Sequence, residues 1–309
     1  KTPMALMIAR RCWEVHNVKP LVLSRGYLGG DEARMLSTGL QGTPAVIGVG
    51  ADRAAVAMQM LRAHTSIGVA ILDDGMQHLR LARDLEICMI NALKPFGNGH
   101  IIPRGPLREE PQAALQRCDI AVVHHSTLVQ NSNQLLSLEK FLHRCLRPGK
   151  AVLHTEMQLI ACRQVAGPPI KLTTSSPPSE KNILSALRGA HLLCLTAIGC
   201  PEALELQLRR LGAKEVEGAA QLHDHQQAPM EVIRSLARRA AQLQAAGSRV
   251  VVVLTEKDCA REEESEAWTH LCIVPVVVLC GEVAVSDMSL LDAHIERALR
   301  SGLSNHLSD

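Results

Sequence analysis

Along the first half of the chain, short apolar and β-branched runs alternate with stretches of helical period. Residues 20–24, 45–49, 67–73, 85–90 and 119–123 read as strands bounded by turn-forming residues. Residues 3–16 read as a helix, with Thr2 as N-cap and Pro3 at the first helical position. Asp52 is placed to cap a second helix, rich in Ala and Met, that runs to His64. The run from 67 to 73 has no polar residue before its last position, so burial on both faces is expected. This alternation predicts a parallel sheet with helices on both sides, a three-layer α/β/α domain.

The pattern breaks between Val165 and Lys181, where residues 166–181 are rich in Pro, Ser and Thr and have no period. That stretch reads as an interdomain linker, with one domain over 1–165 and a smaller α/β domain over 182–309. In the second part, 191–197, 249–254 and 272–279 read as strands, and 201–211, 229–246 and 289–301 as helices.

Composition narrows the function. Apolar residues are 47% of the 309, enough for sizeable cores. The formal charge of +2 gives no support for a polyanion-coating protein, so nucleic acid is not expected as a partner. Two Trp, two Phe and one Tyr are too few for base- or sugar-stacking platforms. No apolar run approaches the roughly 18 residues that span a bilayer. Ten Cys form no Cys-x-x-Cys pair and sit mostly in apolar runs, as buried hydrophobes of a reducing compartment do. The chain opens on Lys1 rather than Met, so a preceding segment, with any targeting or membrane-docking element, is expected to lie outside it.

Several polar clusters fall at predicted strand ends, where open α/β sheets bind ligands. Lys1-Thr2-Pro3 has the form in which a phosphate-binding loop ends: a helix start presents N–H groups to phosphate, Lys reaches it, and Thr faces Mg²⁺. Alone, the pair also fits an ordinary helix start. Asp73-Asp74-Gly75 closes the third strand and reads equally as a metal-holding acidic pair or as a β-turn. Gln77 and His78 would overhang it. Arg25 follows a strand and can meet phosphate bidentately, and Asp31 lies on a glycine-flexed loop. The stretch from Lys94 through Asn98 to Arg108 and Glu109 is too polar for a core and reads as a functional loop. His223-Asp224-His225 could bind metal or move a proton. Thr255-Glu256-Lys257-Asp258 closes another strand.

Together these segments resemble the tetraacyldisaccharide 4′-kinases, the lipid A kinases of the Gram-negative envelope pathway. The matching pieces run in the family's order over nearly the whole chain: Lys1-Thr2-Pro3, Ser24-Arg-Gly-Tyr27, Gly30-Asp-Glu32, Asp52-Arg53, Asp73-Asp-Gly-x-Gln-His78, Arg83-Asp-Leu-Glu86, Phe96-Gly-Asn-Gly99, Gly105-Pro-Leu-Arg-Glu109, Asp224-His225 and Thr255-Glu-Lys-Asp258. The short gap between Arg25 and Gly30 is more like the plant homologues.

The resemblance implies a P-loop NTPase-like first domain and a peripheral membrane kinase using ATP and Mg²⁺. It would be mitochondrial in a plant, or on the cytoplasmic face of the inner membrane in a bacterium. The acceptor would be the 4′-hydroxyl of a lipid A disaccharide 1-phosphate. Carried over by residue, Lys1 and Thr2 would bind nucleotide, and Thr2, Asp73 and Asp74 would hold the metal. Asp31 and His225, expected from different domains, would form the pair that deprotonates the acceptor. Arg25, Arg53, Gln77, His78, Asn98, Arg108 and Glu109 would position substrate or phosphate. Departures are Ala33 where the family usually has Pro, and Ala197 in place of Gly. The glycine-rich arc that precedes Lys-Thr in the family lies outside this chain, which as it stands is expected to bind ATP poorly.

Two other readings remain at this level: a non-catalytic relic of the same fold, and a glycosyltransferase or Rossmann-type binder using Asp73 and Asp74. No Gly-x-Gly-x-x-Gly follows any predicted strand, which weighs against the dinucleotide case. Oligomeric state and acyl pattern leave no trace in the sequence.

Overall fold

The computed structural model describes residues 1–26, 30–170, 180–218, 222, 228–262 and 270–305. The chain divides into two compact units. Unit 1 comprises Lys1–Gly26, Leu36–Met157 and Val283–Asp309; unit 2 comprises Tyr27–Met35 and Gln158–Glu282.

Unit 1 begins with α1 (Thr2–Glu14) and β1 (Lys19–Ser24). After α2 (Asp31–Gly39), whose first residues count with unit 2, come β2 (Val46–Val49), α3 (Arg53–Ala63) and β3 (Ile67–Leu72). These strands form a parallel sheet of order β2-β1-β3. Next come β4 (Ile87–Asn91), α4 (Pro111–Leu115), β5 (Ile120–His124), α5 (Ser132–Cys145) and the start of β6 (Ala151–Ala166). β4 and β6 flank β5, both parallel to it. Asp52 caps α3, accepting from the Ala55 N–H at 3.1 Å.

Thr2 is not the cap of α1. Lys1 stands at the N-cap, and the Thr2 hydroxyl is spent elsewhere. β3 also departs from expectation: its residues are half-buried or exposed, whereas four of the five residues of β5 are fully buried. The cause is position, since β3 is paired with β1 alone and forms the edge of its sheet.

Unit 2 carries α6 (Glu180–Ala186), β7 (His191–Cys194), α7 (Pro201–Leu211), β8 (Glu215–Gly218), α8 (Met230–Ala245), β9 (Val250–Thr255), α9 (Glu256–Glu262) and most of β10 (Val276–Val285). Its parallel order is β10-β9-β7-β8. Two cores cover the two faces of β9: Val250, Val252 and Leu254 pack with Ile233 and Leu236 of α8, and Val251 and Val253 with Leu204 and Leu208 of α7. The period-two split is what a buried parallel strand requires.

The boundary is more interleaved than a cut near 165. β6 continues to Ala166, and residues 171–179 of the expected linker lie outside the described residues. The closing helix α10 (Met288–Asn305) belongs to unit 1, because Leu291 and Ile295 pack with Met4, Ile120 and Leu153. Asp31, expected in the N-terminal domain, clusters with unit 2.

Candidate active site

The site of unit 1 is built where β3 ends. Asp73 extends the β1–β3 ladder by one rung, its N–H donating to the Leu23 carbonyl at 2.9 Å, and is 4% exposed. Its carboxylate therefore has a fixed place, and there the Thr2 hydroxyl donates to Oδ2 at 2.7 Å. Asp74 takes a left-handed backbone, φ 50°, which turns its side chain out of the strand's alternation. Gly75 folds the chain back so tightly that a Cβ there would lie 2.5 Å from that of Leu72.

Asp74 gathers two cations. Lys1 Nζ donates to Oδ1 at 2.9 Å, and the Arg108 guanidinium reaches Oδ2 at 3.3 and 3.4 Å. Burial works to raise the Asp74 carboxyl, but Lys1 and then Arg108 outweigh it and hold the group below the ordinary value. The Lys1 and Arg108 side chains stay 58% and 46% exposed, so both cations remain open to an anion from solvent. Arg108 also donates to Gln77 Oε1 at 3.3 Å, and Gln77 Nε2 donates to Glu109 at 3.0 Å. Glu109 closes the series, both oxygens accepting from Arg117 Nη2 at 2.7 Å.

The loop after Asp74 has its own clamp. Arg83 donates to the carbonyls of His78 at 2.9 Å and Leu81 at 3.1 Å, and pairs with Glu86 at 2.5 Å. Sequence reasoning gave Arg83 and Arg117 no role. The only signal for Arg83 was the Arg-Asp-Leu-Glu motif, and Arg117 carried none.

The other candidates divide. Arg53 is 6% exposed, yet its Nε and Nη1 have no hydrogen-bond partner, nor does the buried Nε2 of His78. His78, Gln77, Asp52 and Arg80 line a recess of about 520 Å³. Asn98 does not join this group; it holds its own loop, donating to the Arg104 carbonyl at 2.8 Å and accepting from His100 N–H at 3.1 Å. The loop closes tightly enough that a Cβ on Gly105 would sit 2.0 Å from Asn98 Oδ1. Arg25 lies exposed just beyond β1.

In unit 2, Asp31 is the first residue of α2, and His225 lies outside the described residues. Asp258 of the Thr-Glu-Lys-Asp motif is 3% exposed. Its carboxylate accepts from Ala197 N–H at 2.8 Å and from the Thr255 hydroxyl at 2.6 Å. That carboxylate ties the ends of β7 and β9 together.

A parallel α/β sheet with a Lys-Thr helix start set against an aspartate pair at a strand's carboxyl end belongs to the P-loop class of ATP-dependent kinases. Comparison with known proteins gives the particular family. The family model described as tetraacyldisaccharide-1-P 4′-kinase matches residues 1–300. A probable mitochondrial tetraacyldisaccharide 4′-kinase of Arabidopsis thaliana is 36% identical over 93% of this chain and 75% of its own length. The tetraacyldisaccharide 4′-kinase of Syntrophus aciditrophicus is 30% identical over 84% of this chain and 70% of its own. The crystal structure of LpxK from Aquifex aeolicus with ATP shares the fold, with TM-score 0.58 and 19% identity over 97% of this chain and 85% of that one. The chain belongs to the tetraacyldisaccharide-1-P 4′-kinase family.

Proposed function

We propose that this kinase moves the γ-phosphoryl group of ATP to the 4′-hydroxyl of a tetraacyldisaccharide 1-phosphate, the lipid A precursor. The observation that carries the reading is the double contact at the end of β3, Thr2 on Asp73 and Lys1 on Asp74.

The donor set suits Mg²⁺. Thr2 Oγ1 and the Asp73 carboxylate are hard oxygen donors already side by side, 2.7 Å apart. Mg²⁺ keeps several waters and shares its remaining positions with phosphate, so two protein oxygens suffice. No group of three or more His, Cys, Asp or Glu that could hold a metal occurs among the described residues, which fits an ion shared with substrate. Bound there, Mg²⁺ would supply charge neutralisation for the transferring phosphate.

Lys1 and Arg108 turn from Asp74 to the phosphate oxygens, and the buried guanidinium of Arg53 offers its unpartnered nitrogens to a further anionic group. His225 takes the proton of the 4′-hydroxyl while Asp31 fixes its tautomer. The 4′-oxygen then bonds to the γ-phosphorus as the bond to the ADP oxygen breaks. Gln77 and Glu109 hold Arg108 in register.

The acylated acceptor places the protein at a membrane surface. No described helix is long and apolar enough to cross a membrane, which suits a peripheral mode. The plant relative's name supports a mitochondrial site in a plant.

The test is transfer of labelled γ-phosphate to tetraacyldisaccharide 1-phosphate in mixed micelles by the full-length protein. A bisphosphorylated product is expected, with Asp73→Asn needing far more Mg²⁺. Absence of transfer, or a Mg²⁺ titration unchanged by Asp73→Asn, would overturn the reading.

A further inference from the structure

The two most exposed large apolar side chains among the described residues are Leu79 and Ile102, 68% and 61% exposed. Single surface aliphatics need no explanation, but these two stand on the loops that carry the candidate site. Leu79 lies two residues beyond Gln77. The Ile102 N–H donates to the carbonyl of Leu107, the neighbour of Arg108, at 2.8 Å. Arg108 and Glu109 both bond to Gln77, so the two loops are tied together at their bases.

Neither tip is a loose end. Arg83 holds the carbonyls of His78 and Leu81, and Leu79 and Arg80 lie between those two anchors. The second loop is pinned across its width: Asn98 donates to the Arg104 carbonyl at 2.8 Å, and the Arg104 N–H donates to the Ile101 carbonyl at 3.0 Å. Each backbone is fixed with its aliphatic side chain outside, at a standing cost in exposed apolar area.

Charge sets these loops apart as well. The chain has 31 acidic residues in 309, about one in ten, so the 31 residues of 75–83 and 87–108 would hold about three. They hold none, against five cations: Arg80, Arg83, Lys94, Arg104 and Arg108. The acids that meet two of them come from outside these stretches, Glu86 to Arg83 and Asp74 to Arg108. Each tip sets its aliphatic close to an exposed arginine, Leu79 beside Arg80 and Ile102 two residues from Arg104. An aliphatic that enters the acyl boundary, near a guanidinium that stays with the headgroups, is a pairing that an anionic bilayer accepts. An acidic protein would meet the same cations but would need a separate pocket for each tip; a bilayer receives both at any spacing.

We infer that the tips of these two loops dip into the headgroup layer of an anionic membrane, with Leu79 and Ile102 in the acyl boundary and Arg80 and Arg104 on lipid phosphate. The shared base of the loops, Gln77 with Arg108 and Glu109, then holds the site at the lipid plane. The inference rests on the kinase reading only for the acceptor's being a lipid. It adds which part of the surface meets the membrane, and that contact forms whether or not phosphate is transferred.

Tryptophan substitutions in the full-length protein read the contact directly. Leu79→Trp and Ile102→Trp are compared with Leu136→Trp, a position on α5 that is 50% exposed and outside both loops. With vesicles of phosphatidylcholine and phosphatidylglycerol, the added emission of the first two is expected to shift to the blue and to be quenched by brominated acyl chains. That of Leu136→Trp stays unchanged. In phosphatidylcholine alone the apparent affinity of the tips is expected to fall about tenfold. Arg80→Glu combined with Arg104→Glu is expected to abolish the difference between the two lipids. No blue shift at either tip overturns the proposal. Equal quenching at Leu136→Trp overturns it too, since the protein would then lie on lipid in no fixed orientation. A blue shift produced by polyglutamate without vesicles would assign the tips to an acidic protein and overturns it equally. Transfer of labelled phosphate, run on the same samples, separates the two readings: docking without transfer removes the kinase reaction and leaves the membrane contact standing.

Discussion

Two strand ends carry a threonine and an aspartate in contact, and they use them oppositely. After β3, Thr2 meets Asp73 while the next carboxylate, Asp74, is shared between Lys1 and Arg108, whose charges stay open to solvent. After β9, Thr255 meets the buried Asp258, and that carboxylate serves the main chain of Ala197 and Thr255. Hydrogen bonds among neutral main-chain donors stabilise a fold; cations left half in water hold a place for an anion. The chemistry of the pair is the same, and what surrounds it separates site from scaffold.

Substitutions can separate the two. The largest effect is expected at the first end. In a chain competent to bind ATP, Asp73→Asn lowers kcat/KM by about 10²–10³, the scale of a lost transition-state contact. Its melting temperature stays within about 2 °C of the parent. Steady-state kinetics beside thermal melts would show both, and a large loss of stability would move Asp73 into the scaffold class.

The converse holds at the second end. Asp258→Ala leaves the buried Ala197 N–H without its acceptor and lowers stability by about 3 kcal/mol. The urea midpoint falls at unchanged slope, while turnover per folded molecule is retained. Loss of turnover in fully folded protein would erase the contrast.

A smaller effect sharpens it from the acid side. Burial, with the neighbouring His125, pushes the His124 imidazole down to about 3, and burial pushes His125 to about 4. Both imidazoles sit next to each other at the end of β5, ring centroids 3.9 Å apart. Unfolded histidines titrate near 6.5, so below that pH the unfolded chain binds more protons and stability falls toward pH 4. Urea midpoints between pH 7 and 4.5 are expected to fall, and less steeply in His125→Asn.

The smallest effect concerns shape at constant charge. Arg108→Lys keeps the cation but loses the planar fork, and the KM for ATP rises about three- to tenfold. A KM unchanged in that variant would show that Arg108 acts on Asp74 as a point charge only.

Much of this was legible in the letters. The alternation of apolar runs with helical stretches gave the parallel α/β class, and Asp52 announced its cap correctly. Lys1, Asp74, Gln77, Arg108 and Glu109, named from separate motifs, form one connected set of contacts, and Thr2 and Asp73 form a second pair beside it. What the letters hid has physical causes. β6 escaped notice because His154, Glu156 and Gln158 interrupt its apolar residues, and the expected linker began where it was still a strand. The exposure of β3 depends on its neighbours, which its own residues do not state. Arg83 and Arg117 serve carbonyls and carboxylates only two to eight residues away, but across turns whose folding no helical or strand period announces. The assignment of Asp31 to unit 2 depends on contacts far along the chain.

The position of Asp74 changes what nucleotide affinity measures. With Lys1 and Arg108 already drawn onto one carboxylate, an incoming polyphosphate does not meet bare cations. It displaces an internal counter-ion, and the gain on binding is the difference between two anions competing for the same pair. Removing that competitor, as in Asp74→Asn, which suits the left-handed backbone, would tighten the grip on phosphate even while the reaction slows.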